Sequence, residues 1–371
     1  MTQKQWTVPY AALGEEAKAF KEDYIKVFEK VLLSGQYILG PELSNFEMEF
    51  ASYCQTPFSL GVANGTDALY LTMQALNLKK DAEVITVSNS FIASASSIAL
   101  AGAKPVFVDI GEDGNMDPNK LESVVTKKTK AIIAVHLTGR PAKMPQILEI
   151  AKKYNLFVIE DAAQSVGASI HGKRVGSWGD AACFSLHPLK NLKAIGDGGM
   201  ITTKHEALYN RLKIARNHGL VNREQCDFWS YNTRLDELQA SFLRIQLRQL
   251  DNYNAAKREM ALRYNRLLKP YVKTPDEGPG EYCVYQTYVI LAEQRDGLQN
   301  YLIENGVQAL IHYATPIHLQ PAAKYLGYKV SDFPQTMKHV DRILSLPLFP
   351  SMTYQQQDWV AELIKNYYTK R

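Results

Sequence analysis

The sequence is poor in cysteine: Cys54, Cys183, Cys226 and Cys283 are the only four in 371 residues, and none forms a Cys-x-x-Cys pair. So sparse a set supplies neither a disulfide framework nor a zinc site. It points to free thiols in a reducing compartment, and no metal centre is expected. The chain has no run of 18 apolar residues, and Glu15, Glu16, Lys18, Lys21 and Glu22 stand near its start in place of an apolar signal core. No membrane span or secretory leader is expected, and the cytoplasm is the expected location. Strong charge is missing too. The net charge is +4, and basic residues cluster only briefly, as in Lys127-Lys128 and Lys152-Lys153. That speaks against a nucleic-acid groove and leaves a nucleotide-bearing small substrate open. Internal repeats and low-complexity tracts are absent.

What is present is the patterning of a soluble enzyme, 46% hydrophobic and 22% charged, long enough for a large core. From 58 to 203, short apolar runs alternate with helical stretches. The runs are 58–63, 83–88, 105–110, 131–137, 157–161, 181–186 and 200–203. Several are apolar on both faces, as in Ala131-Ile132-Ile133-Ala134-Val135. Such runs predict strands covered on both sides, hence an α/β fold with a mostly parallel seven-stranded sheet between helices. Asp117-Pro118 predicts an N-cap with proline at N1, opening a helix over 118–126. Helical spacing predicts a helix over 144–154 and long helices over 233–269. A Pro/Gly-rich loop at 274–280 leads to a strand near 284–291, a helix ending at Gly306 and a last helix near 354–368. We therefore expect a large domain over 1–250 and a small C-terminal α+β domain over 251–371.

The chemistry concentrates at strand ends. Phe157-Val158-Ile159-Glu160-Asp161 is an apolar run closing on carboxylates, and Ala181-Ala182-Cys183-Phe184-Ser185 leads into a loop carrying Lys190. A buried carboxylate and a loop lysine beyond neighbouring strands are what pyridoxal phosphate (PLP) needs. The amine condenses with the aldehyde, and the carboxylate keeps the pyridine nitrogen protonated, so that the ring withdraws electrons. Glu160 and Asp161 face opposite sides of a strand, and periodicity alone leaves open which of them meets a ligand. Asn64-Gly65-Thr66-Asp67 opens a helix after the first run, where free N–H groups suit a phosphate. Phe91 follows the second run and is placed to stack on a flat ring; Gln164, three residues past Asp161, suits a polar ring substituent.

These segments together resemble the DegT/DnrJ/StrS family of nucleotide-sugar aminotransferases over nearly the whole chain. The matching stretches run from Ser34-Gly35-Gln36-Tyr37-Ile38-Leu39-Gly40-Pro41-Glu42 through Ala63–Leu69, Val135–Pro141, Glu160–Ser165 and the Lys190 loop. They continue through Tyr231-Asn232-Thr233-Arg234-Leu235-Asp236-Glu237 to Ile311-His312-Tyr313 and Leu344–Pro350. The resemblance implies a fold-type I, aspartate aminotransferase-like PLP enzyme acting as a homodimer with shared sites. Lys190 becomes the Schiff-base lysine and proton shuttle, and Asp161 the partner of the pyridine nitrogen. Gln164 is assigned to the phenolic oxygen, Gly65, Thr66 and Ser185 to the phosphate, and Phe91 to the ring face. Asn232 reaches the phosphate from the partner subunit, while Lys193, Arg234, His312 and Tyr313 fall to the substrate side. The implied reaction passes an amino group from glutamate, which becomes 2-oxoglutarate, through pyridoxamine phosphate to a nucleotide-linked keto sugar. Its product is an amino sugar for a surface glycan or natural product.

Two positions depart from the common pattern: Lys193 stands where many members have glycine, and Arg140 where many have glutamine. Lys193 is also a rival to Lys190, which is preferred because the family's lysine follows a His-Pro-x run and directly precedes Asn-Leu, as Lys190 does with His187-Pro188 and Asn191-Leu192. Three other readings are a PLP-dependent sugar dehydratase, a cyclitol aminotransferase and a non-catalytic regulator on the same fold. Relatives of the dehydratase kind replace the lysine, often by histidine, and a regulator is expected to have lost Lys190 or Asp161.

Overall fold

A computed structural model describes residues 6–369; residues 1–5 and 370–371, which the expected domain bounds include, lie outside the described part. All seven apolar runs form strands: β1 (Phe58–Val62), β2 (Glu83–Val87), β3 (Lys104–Val108), β4 (Thr129–Val135), β5 (Phe157–Asp161), β6 (Ala181–Ser185) and β7 (Gly199–Thr203). They join one sheet in the order β1-β7-β6-β5-β4-β2-β3. The pairs β2/β3, β2/β4, β4/β5 and β5/β6 are parallel, and β7 alone runs against both its neighbours. β2 and β7 are buried at every residue, as expected of strands with helices on both faces.

Local chemistry sets the helix ends that matter. Asn64 is extended, and its side chain accepts from the Asp67 N–H, fixing the first turn of the helix Gly65–Ala75. Asp117 caps the predicted helix as expected, but α-helix ends at Leu121 and a 3₁₀ turn finishes the segment. The helix after β2 begins at Ala93, so Phe91 sits in the turn before it. The helix Pro41–Tyr53 has no cap of its own. The buried Glu237 carboxylate, nearly two hundred residues away, accepts from the Gly40, Glu42 and Leu43 N–H groups. An anion there meets both the unpaired donors and the positive end of the helix dipole.

The stretch 233–269 resolves into the helices Glu237–Leu247 and Leu250–Leu268. The second links two cores: Leu250 packs with Leu43, Phe46 and Leu243, while Met260, Tyr264 and Leu268 pack with Tyr288, Leu298 and Ile364. That second core also holds a short antiparallel pair, Tyr288–Leu291 with Ile343–Leu346, and the helices Arg295–Glu304 and Tyr354–Thr369. Val8 joins it from the other end of the chain, bridging to Val307. A small sheet of Ser169–Ile170, Lys173–Arg174 and Glu281–Tyr282 completes the strands and had no legible periodicity. Among the described residues, no helix is long and apolar enough to cross a membrane.

Candidate active site

A cavity of about 590 Å³ opens beyond the carboxyl ends of β1, β2, β5 and β6. Open α/β sheets place ligands at that edge. Gly65 and Thr66 begin the helix that follows β1 and line the cavity with Ser185. Gly65 is required for the fit: a Cβ on it would stand 2.7 Å from Ser185 Cβ. Gly199 plays the same part at the start of β7, where a Cβ would stand 2.3 Å from the Asn64 carbonyl oxygen. Two glycines thus let three strand ends converge on the first turn of this helix, whose leading N–H groups have no helical acceptor.

Asp161 ends β5, is buried, and faces the cavity. Ser94 Oγ donates to its Oδ2 at 2.6 Å, and the Ala163 N–H to its Oδ1 at 3.3 Å. Burial raises the Asp161 pKa; Ser94 and Ala163 oppose that, with smaller help from Lys190 and His136. A cation brought against this carboxylate is therefore strongly favoured. Glu160 takes the opposite face. It accepts from His136 Nε2 at 3.0 Å and from the Gly176, Trp178 and Gly179 N–H groups at 2.8–3.0 Å. The alternation that left the choice open is resolved by which side of β5 holds the cavity.

Lys190 lines the cavity, half-buried, on the loop after β6. Burial lowers its pKa to about 8, against an opposing pull from Asp161. Such an amine is in part unprotonated near neutrality, as a nucleophile and proton carrier must be. Phe91, exposed to the cavity, lies 5.6 Å from the Tyr313 ring. The Gln164 amide accepts from the Thr138 N–H at 2.6 Å and donates to the Tyr313 hydroxyl at 3.3 Å. His312 also lines the cavity; burial and Lys190 lower its pKa to about 4, so it is a neutral imidazole there.

Three expected residues are not brought into this cavity by the chain's own fold. Lys193 ion-pairs with Glu16 and donates to the Tyr253 hydroxyl at 2.9 Å, beside a separate, mostly apolar cavity under the helix Leu13–Lys18. Arg234 donates to Asn217 Oδ1 at 2.9 Å, and Asn232 is exposed on the segment bridged to Asn217. Arg140, the other departure from the common pattern, also lies outside the cavity and donates from Nε to Glu281 at 2.9 Å. The fold adds residues that sequence reasoning missed. Tyr10 lines the cavity, held through its N–H to Gln308 Oε1 at 2.9 Å, with its ring 5.6 Å from His312. Nothing in the sequence joins positions 10 and 308. Ser94, in the first turn of the helix after β2, also bonds at 2.8 Å to Ser90, which lies in the loop before that helix.

The residues present fit PLP: free N–H groups for a phosphate, a buried carboxylate wanting a cation, an aromatic wall and an amine of lowered pKa. When bound, the cofactor supplies an aldehyde for the amine and a ring that takes up carbanion charge. Among the described residues, no cluster of His, Cys, Asp or Glu is arranged to hold a metal ion.

Comparison with known proteins gives the same assignment. Residues 18–365 match the model of the DegT/DnrJ/EryC1/StrS aminotransferase family. The chain is 42% identical to a pleiotropic regulatory protein of Geobacillus stearothermophilus, over 97% of this chain and 98% of that one. It is also 42% identical to the dTDP-3-amino-3,6-dideoxy-alpha-D-galactopyranose transaminase of Aneurinibacillus thermoaerophilus, over 97% and 99%. The crystal structure of S. venezuelae DesV in complex with a ketimine intermediate superposes with a TM-score of 0.96 at 35% identity, covering 99% of each chain. The chain belongs to the DegT/DnrJ/EryC1/StrS aminotransferase family and is a PLP-dependent aminotransferase.

Proposed function

We propose that the chain moves the amino group of glutamate to a keto sugar carried on a nucleoside diphosphate, making an amino sugar. The observation that carries the substrate class is the make-up of the cavity. Together with Lys190 and Asp161 its lining includes Tyr10, His312 and Tyr313, surfaces that suit the apolar face and hydroxyls of a sugar ring. Among the described residues, Lys190 is the one Lys or Arg that lines it. The helix N–H groups at Gly65 and Thr66 meet the cofactor phosphate, and a second copy of the chain supplies further positive charge toward the substrate diphosphate. Arg234 is the natural source, with the neutral Asn232 as a hydrogen-bond donor beside it, on a face that exposes Trp229 (94%) and Tyr231 (57%). A homodimer burying that face brings Asn232 to the neighbour's phosphate and Arg234 to its sugar site. Lys193, tied to Glu16, serves the lysine loop and not the diphosphate.

Relatives named as transaminases of nucleotide-linked amino sugars support this reading. One relative is named a regulatory protein, but Lys190 and Asp161 are both in place here, as a catalyst requires. The same lysine weighs against a dehydratase. The reaction runs in reverse with 2-oxoglutarate and a panel of nucleotide-linked amino sugars, and glutamate release is the readout. We expect turnover on at least one dTDP- or UDP-linked sugar. Turnover on free amino cyclitols alone would assign the cyclitol reaction instead.

Shared sites have a direct test. Lys190→Ala chains and Asn232→Ala/Arg234→Ala chains are each expected to be inactive alone. Mixed at equal amounts with free exchange, half the dimers are hybrids holding one intact site of two, so about a quarter of wild-type activity returns. No recovery in proven hybrids means that each site is built from one chain.

A further inference from the structure

Lys257 is buried on the helix Leu250–Leu268, with no carboxylate within ion-pairing distance among the described residues. An unpaired buried ammonium is costly, and burial together with Lys193 lowers its pKa to about 7. Its hydrogen bonds run toward the active site. Nζ donates to Asn191 Oδ1 at 3.2 Å and to the Gln286 carbonyl at 2.9 Å. Asn191 directly follows Lys190, and its Nδ2 donates to Asn254 Oδ1 at 2.7 Å and to the Val284 carbonyl at 2.9 Å. Gln286 Nε2 donates to the carbonyl of Leu189, which directly precedes Lys190, at 3.0 Å. Both neighbours of Lys190 are thus held by one network, and Lys257 is the residue bonded to both of its arms.

We propose that Lys257 is a positioning residue: through Asn191 and Gln286 it clamps the backbone on either side of Lys190, so that only the Lys190 side chain moves during the reaction. The inference rests on Lys190 being the cofactor-bearing lysine. A side chain that bonds to the cofactor, leaves it and then carries a proton needs a fixed root, because a displacement near 1 Å costs about 100-fold in rate. Asn254, whose own amide donates to the Val166 carbonyl at 3.0 Å, ties the clamp to the loop after β5 that carries Gln164. The lysine and carboxylate sides of the site are in this way referred to one helix.

The test compares Lys257→Met, Lys257→Arg and Asn191→Leu in the PLP-loaded protein. Methionine removes both bonds at similar volume, arginine keeps the charge and donors, and Asn191→Leu removes one arm while leaving the ammonium in place. The readouts are the single-turnover rate with glutamate, its KM, and the pH midpoint of the visible absorbance of the Lys190–cofactor linkage. We expect Lys257→Met to slow turnover about 10–100-fold with KM little changed. A loosened loop admits water, which favours the charged form, so its absorbance midpoint should rise by about half a pH unit or more. Asn191→Leu should move the midpoint the same way, and Lys257→Arg should restore most of the rate. If Lys257→Met does not fold, Asn191→Leu makes the same measurement alone. A midpoint that moves in Lys257→Met but not in Asn191→Leu would reduce Lys257 to a charge effect and overturn the clamp, as would wild-type rate and midpoint in both. Borohydride fixation on wild-type protein separates the two claims. Label elsewhere than Lys190 removes the premise, while label on Lys190 with silent variants removes the clamp alone.

Discussion

Replacing Lys190 by alanine should lower turnover with glutamate by at least ~1,000-fold, since it removes both a nucleophile and the group that moves the proton. The fold should survive, because the side chain borders a cavity. Borohydride treatment of the wild-type holoenzyme, followed by peptide mapping, should find the cofactor on Lys190. Cofactor on Lys193 with Lys190 unmodified would reverse the assignment, although the ion pair of Lys193 with Glu16 holds that amine in another cavity. The pH dependence has a definite sign. Desolvation lowers the Lys190 pKa to about 8, and only the unprotonated amine attacks an aldehyde. PLP uptake by the apoprotein should therefore speed up about tenfold per pH unit below pH 8 and level off above it. For an ordinary exposed lysine the rise would continue to about pH 10. A rate flat from pH 6 to 9 would mean that the pKa is not lowered as the burial implies.

The sheet was legible because its strands are apolar on both faces and bounded by helical stretches, so period and composition agreed. The reversed direction of β7 was not, since a strand read alone carries no polarity. The two-residue strands are too short for any period. At the site, legibility followed sequence distance. Gly65, Thr66, Asp161, Gln164, Ser185 and Lys190 each lie at or just beyond a recognisable strand end, and the fold brings all six to one cavity. Tyr10 and Gln286 reach the cavity, and Lys257 reaches the network behind the lysine loop, across gaps that no local pattern spans. Asn232 and Arg234 are the converse: they sit in a motif readable by resemblance, yet one copy of the chain leaves them outside the cavity. Glu237 stands in the same motif, and its purpose is visible only in three dimensions, as the cap of a helix beginning at Pro41.

Asp161→Asn should cut turnover by ~100- to 10,000-fold while leaving the melting temperature close to wild type. Asparagine keeps the shape but not the charge, and a buried cationic ring nitrogen then loses the ion that pays for its burial. Retention of cofactor should weaken in parallel, measured as the PLP concentration needed to restore visible absorbance. Ser94→Ala removes one hydrogen bond to Oδ2 and should cost far less, about tenfold, with Asp161 still charged. Glu160→Gln should show the opposite profile. Its carboxylate accepts from His136 and three backbone N–H groups, all donors, so an amide placed there sets N–H against N–H. The cost is at least ~2 kcal/mol of stability, with modest change in rate for protein that remains folded. Asp161 thus has an electrostatic task toward the cofactor, and Glu160 a scaffolding task behind the strand. If Glu160→Gln proved stable but inactive, and Asp161→Asn nearly silent, the facing of β5 and the cation site built on it would both be wrong.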